Sequence, residues 1–121
     1  MRHYILDHRG HVKHEPDANK WAIWFNNANE KRRVKFTDCG QDIHVSTVFL
    51  GLDHSFQETS KPVLWETIVF GGDMDGRERR YTSRALALKG HYEIVREIRA
   101  KQAPFRRRGG EPELLETGAK S

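Results

Sequence analysis

Four residues carry the side chains that acid–base or metal chemistry needs: Asp53, His54, Glu66 and His91. A histidine and a carboxylate in one cleft can act as general acid and base. Two histidines and a carboxylate can hold a metal with one position open. Asp53 and His54 follow one apolar run, Ile43 to Leu52, and Glu66 lies within the next, Val63 to Phe70. His91 falls three residues after Leu88 and four before Val95, on the apolar stripe of the last helical segment. If the two runs pair as strands and the helix covers their Glu66 face, Glu66 and His91 meet beneath the loop that carries His54. The same placement describes a buried hydrogen-bond network that fixes the helix on the sheet and the loop on both. The network is the preferred reading, because no motif supports catalysis. The sequence has no Walker loop, no paired cysteines, no glycine-flanked nucleophilic serine and no His-Glu-x-x-His. We therefore assign no catalytic residue, no metal and no cofactor.

Other chemistry-bearing groups read as structural. His3, His8, His11 and His14 crowd the N-terminus, but on a strand His11 and His14 point to opposite faces, and no Cys or acidic pair completes a ligand set. Cys39 falls in an expected turn, Asp38 to Asp42, with no neighbouring base, and reads as an ordinary thiol. With one cysteine in the chain, no internal disulfide can form. The segment Gly71 to Gly76 resembles an acidic calcium loop only superficially, since the twelve-residue spacing and the terminal Glu are missing.

The elements that position these groups follow from periodicity. The runs Ile43 to Leu52 and Val63 to Phe70 are rich in β-branched and aromatic residues, which predicts two paired central strands. Both are apolar on alternate and intervening positions, which predicts a sheet covered, at least in part, on both faces. Val34 to Thr37 alternates as a half-buried strand should and forms a hairpin with the first central strand. Arg79 to Thr82 is a short last strand. Tyr4 to Leu6 and Val12 make a weak hairpin about Gly10. Asp17 caps a helix in which Trp21, Trp24, Phe25 and Ala28 share a face, read as a face packed on the sheet. Thr82 or Ser83 caps a long helix from Arg84 to Gln102 that Pro104 ends; Gly90 within it marks close packing on the sheet. The fold class is α+β: a four- or five-stranded, mainly antiparallel sheet with a short aromatic helix before it and a long helix after it. Residues 1–102 make a single domain, and residues 103–121 a disordered tail, basic and then acidic.

The chain has 121 residues, a formal net charge of +4 and a pI near 9.4, which fits one modestly basic domain. The charge is uneven. From Arg77 to Arg108 there are eleven Lys and Arg against three Glu. A basic face of Arg77, Arg79, Arg80, Arg84, Arg106, Arg107 and Arg108 is therefore a candidate for binding phosphate or an acidic partner. No run approaches the length of a membrane span or of a signal-peptide core, so the expected place is the cytoplasm.

Several blocks carry a resemblance. They are Val45-Ser46-Thr47-Val48-Phe49-Leu50-Gly51-Leu52-Asp53-His54, Trp65-Glu66-Thr67-Ile68-Val69-Phe70-Gly71-Gly72, Arg80-Tyr81-Thr82-Ser83, and Ala87 to His91, with Trp21-Ala22-Ile23-Trp24-Phe25 and Arg33-Val34. Together they resemble a family of small uncharacterised proteins encoded by bacteriophages, prophages and their bacterial hosts, over Met1 to about Ala100. The resemblance implies a phage or mobile-element setting in a bacterial cytoplasm and no particular activity. Gln57-Glu58-Thr59-Ser60 stands where that family has a glycine-rich loop, and the Arg106 to Arg108 run is outside the resemblance. The leading expectation is a non-catalytic binding protein, of accessory or anti-defence type, acting on a host or phage protein or ribonucleoprotein. The alternatives are a small metal-dependent or acid–base enzyme using the His/Asp/Glu set, and a nucleic-acid binder using the basic C-terminal face.

Overall fold

The computed structural model describes residues 1–55 and 61–110, the last seven of these for the backbone alone. The expected acidic tail lies outside the described residues.

Chain order is β1 (Tyr4–Leu6), β2 (Val12–His14), α1 (Ala18–Asn27), α2 (Asn29–Arg32), β3 (Arg33–Gly40), β4 (Ile43–Phe49), β5 (Trp65–Phe70), β6 (Glu78–Tyr81) and α3 (Arg84–Gly110). The fold is α+β. β3, β4, β5 and β6 form an antiparallel sheet in sequence order, and β1 and β2 form a separate two-stranded hairpin. Asp7 builds the hairpin turn by accepting N–H bonds from Arg9 and His11, while Gly10 takes a positive φ.

The β3–β4 hairpin turns on two residues, Gln41 and Asp42, both with φ near +60°. That geometry matches the right-handed twist of the flanking strands. β3 therefore runs on to Gly40, and Cys39 lies buried in a strand, not in the expected turn. Burial raises the pKa of its thiol, which keeps it protonated and unreactive.

Asp17 caps α1 by accepting from the N–H groups of Asn19 and Lys20. The aromatic face of α1 meets the hairpin and the end of β4. Trp21 Nε1 donates to the Tyr4 carbonyl at 3.0 Å, and Trp24 sets its ring edge-on to Phe49. Ser83 caps α3 through its hydroxyl, which accepts from the Leu86 N–H. Helical backbone continues past Pro104 to Gly110, beyond the expected stop. A proline removes one N–H from the ladder and frees the carbonyl four residues earlier, at Ala100, an exposed position where water can satisfy it.

One face of the sheet is closed and the other is not. Val45, Thr47, Phe49, Trp65, Thr67, Val69 and Tyr81 point to the closed face and are buried. Ile94, Val95 and Ile98 of α3 cover its turn end with Val45, Val69 and Cys39. Tyr4, Leu64 and Ala87 fill the other end with Phe49, Trp65 and Tyr81, and Leu6, Val12 and Trp24 pack against them. Here the expectation of a sheet covered on both faces is corrected. The covering elements all lie on one side, and on the other Phe36 and Phe70 stay 46% and 49% exposed.

Candidate functional site

His91 stands at the centre of the closed face, fully buried. Its Nδ1 is 2.8 Å from the Thr47 hydroxyl and its Nε2 is 2.8 Å from the Thr37 hydroxyl. Thr47 in turn bonds Thr67, its direct neighbour across β4 and β5. A neutral imidazole has one donor and one acceptor, and three hydroxyls in a chain satisfy both. Burial, and secondarily the charge of Lys35, push the His91 pKa below its ordinary value, so the ring stays neutral. The threonines come from three adjacent strands: Thr47 and Thr67 are directly opposed, while Thr37 is opposite Val45, one pair along the same face from Thr47. Alternation alone puts them on one face.

Glu66 lies elsewhere. It is opposite Val48 and Arg80 in the sheet, so its side chain projects from the outer face while those of the flanking Trp65 and Thr67 project inward. Its carboxylate takes a hydrogen bond from Arg80 Nε at 2.9 Å. The sheet thus separates Glu66 from His91, because α3 covers the Thr67 face and not the Glu66 face. Asp53 clamps the loop that follows β4. It accepts N–H bonds from Ser55 and Val63 and lies near Arg2. Burial would raise its pKa, but those N–H bonds and the Arg2 charge outweigh that and hold it below the ordinary range. His54 turns its Nδ1 to the carbonyl of Leu52. Among the described residues, no hydrogen bond or ion pair joins any two of Asp53, His54, Glu66 and His91, and no group of His, Cys, Asp and Glu could hold a metal ion.

Three arginines of the basic segment are engaged within the molecule. Arg77 makes a two-pronged contact with Glu97, Arg79 pairs with Glu93, and Arg80 lies between Glu66 and Glu78. Glu66, Glu93 and Glu97 come from elements facing the arginine they pair with, and Glu78 from the strand of Arg80 itself, so Arg77, Arg79 and Arg80 are locally balanced. Arg84 is exposed at the start of α3. The side chains of Arg106, Arg107 and Arg108 lie outside the described residues.

The surface that sequence reasoning missed is the outer face itself. Phe36, His44, Ile68 and Phe70 surround the small Ser46, whose neighbours across the sheet are Phe36 on one side and Ile68 on the other. The Phe36 and His44 rings are 5.4 Å apart, and Arg33 reaches over Phe36. Asp38 and His44 lie 3.9 Å apart at the turn end, while Glu66 and Arg80 close the opposite end. The result is an apolar patch around Ser46 that carries Phe36, Ile68 and Phe70 and is fringed by charges of both signs. The signal was present in the alternation: Phe36 falls between Lys35 and Thr37, and Ile68 and Phe70 between Thr67, Val69 and Gly71. Reading both faces as core hid it.

Comparison with known proteins gives no match to any family model, to any curated protein or to any solved structure. No helix among the described residues is long and apolar enough to cross a membrane.

Proposed function

We propose that the protein is a non-catalytic binding protein, that its contact surface is the outer face of the four-stranded sheet, and that its partner is another protein. The supporting observation is the half-exposed pair Phe36 and Phe70 around Ser46, on a sheet whose other face is filled. Large aromatic side chains left in water on a rigid sheet are the usual anchors of a protein interface. Charge favours a protein over a nucleic acid. The outer face sets Arg33 and Arg80 against Asp38, Glu66 and Glu78, which would repel a phosphate backbone as much as attract it. The separation of Glu66 from His91 also supports binding over acid–base chemistry. In the phage or mobile-element setting that the resemblance implies, such a protein acts on a host or phage protein or ribonucleoprotein as an accessory or anti-defence factor.

The test is affinity capture from bacterial host lysate with and without nuclease, using the wild-type chain beside a Phe36→Asp, Phe70→Asp variant. A stoichiometric protein should be captured by the wild type regardless of nuclease and lost with the variant. Capture of nucleic acid alone, or equal capture by both chains, overturns the proposal.

A further inference from the structure

A cavity of about 320 Å³ opens where the C-terminal part of α3 meets the β3–β4 turn and the loop between β5 and β6. Its apolar lining is Ile43, Met74 and Ile98. One wall is the bare backbone of Gly71 and Gly72. A Cβ at Gly71 would overlap the Asp42 backbone carbonyl, one at Gly72 would press on the Ile43 side chain, and both residues have positive φ, so this wall is built of glycine backbone. Gln102 lines the same cavity and is 5% exposed. Its Nε2 donates to the Cys39 carbonyl at 3.0 Å and to Gln41 Oε1 at 3.1 Å. These two acceptors fix which way the amide faces, since the flipped amide would set oxygen against oxygen. Its Oε1 is left buried with no hydrogen-bond partner among the described residues. Buried acceptors are nearly always paired, and an unpaired one beside a cavity points to a donor supplied from outside.

We propose that this cavity binds a small uncharged heteroaromatic ring that donates one N–H to Gln102 Oε1. A flat ring suits the glycine wall, and its apolar edge suits Ile43 and Ile98. Met74 lines the same cavity and is half-buried, unbranched and polarizable, so it can adapt to and contact the ring, and the donor reaches the closed-off oxygen by a small adjustment of the lining side chains. Asp73 and Lys101 at the same cavity carry opposite charges and give no preference for a net charge. The cavity volume is that of a small-ligand site. The ring could belong to a free small molecule or to a tryptophan side chain, which present the same chemistry.

The test uses the full isotope-labelled chain, titrated with indole and with N-methylindole and followed by amide NMR. Indole should shift the Gln102 side-chain amide and the Gly71 and Gly72 backbone amides, and bind at least about tenfold tighter than N-methylindole, because a site with a buried acceptor rejects an analogue that lacks the donor. N-acetyltryptophanamide, run beside them, separates the sources. Binding equal to that of indole assigns the site to a partner's tryptophan, and weaker binding assigns it to a free ring. Equal affinity for indole and N-methylindole, shifts away from these residues, or no shift at millimolar indole overturns the proposal.

Discussion

His91 governs how the interior responds to acid. In the folded chain its ring is buried beside Lys35, and its pKa is lowered below the 6.5 of a free histidine. The unfolded chain takes up the proton more readily, so the contribution to stability is present in full above about pH 6.5 and is lost as pH falls through the lowered folded value. The urea midpoint of the wild type should therefore drop between about pH 7.5 and pH 5.5, and the drop should be smaller in His91→Gln, which cannot titrate. His91→Ala should cost about 3 kcal/mol or more, through the cavity and the orphaned Thr37 and Thr47 hydroxyls. Its readout is chemical unfolding at neutral pH. Gly90 and Tyr81 make a second residue-scale case. A Cβ on Gly90 would overlap the Tyr81 hydroxyl and ring, so Gly90→Ala should destabilise despite the roughly 1 kcal/mol gain in helix propensity. The Tyr81 hydroxyl is buried without a partner among the described residues, so Tyr81→Phe should leave the melting temperature unchanged or raise it. Close packing at Gly90 was legible in the sequence, since glycine in an otherwise periodic helix implies a neighbour. The partners of His91 were not, because they depend on the register between three strands.

At the scale of elements, the strands and helices follow from local chemistry, and the turns follow less well. Asp17, Ser83 and Gly10 are each read correctly from residue type. The turn between β3 and β4 falls within the expected Asp38 to Asp42, but its tight two-residue form at Gln41 and Asp42 is not legible, since Gln41 is a poor residue for positive φ. Both residues adopt it because the two strands pair tightly and Gln41 is held by Gln102. Asp42→Gly should relieve that strain and stabilise the protein by about 0.5–1 kcal/mol, read as a rise in melting temperature of a few degrees. The placement of Glu66 shows the main limit of sequence at this scale. Alternation correctly sorts Trp65, Thr67 and Val69 from Glu66, Ile68 and Phe70, but it does not say which set the helix will cover. The arginines show the same limit, because Glu93 and Glu97 come to face Arg79 and Arg77 only once α3 lies across the sheet.

As a whole, the molecule is a sheet with one closed face and one open face. The closed face holds Phe49, Val45, Val69, Ile94 and a satisfied His91 network. The open face holds Phe36, Ile68 and Phe70 around Ser46, with mixed charges at its rim, and that asymmetry is the basis for reading the protein as a binder. The basic surface expected from Arg77 to Arg84 is reduced by pairing within the chain. Calorimetric titration of the captured partner, purified, against three chains tests this account most directly: the wild type, the Phe36→Asp, Phe70→Asp variant, and an Arg84→Ala control. The account predicts a Kd at least about a hundredfold weaker for the double variant, as expected on loss of central aromatic anchors, and little change for Arg84→Ala. An unchanged Kd for the double variant, with binding lost in Arg84→Ala or abolished by moderate salt, would contradict it.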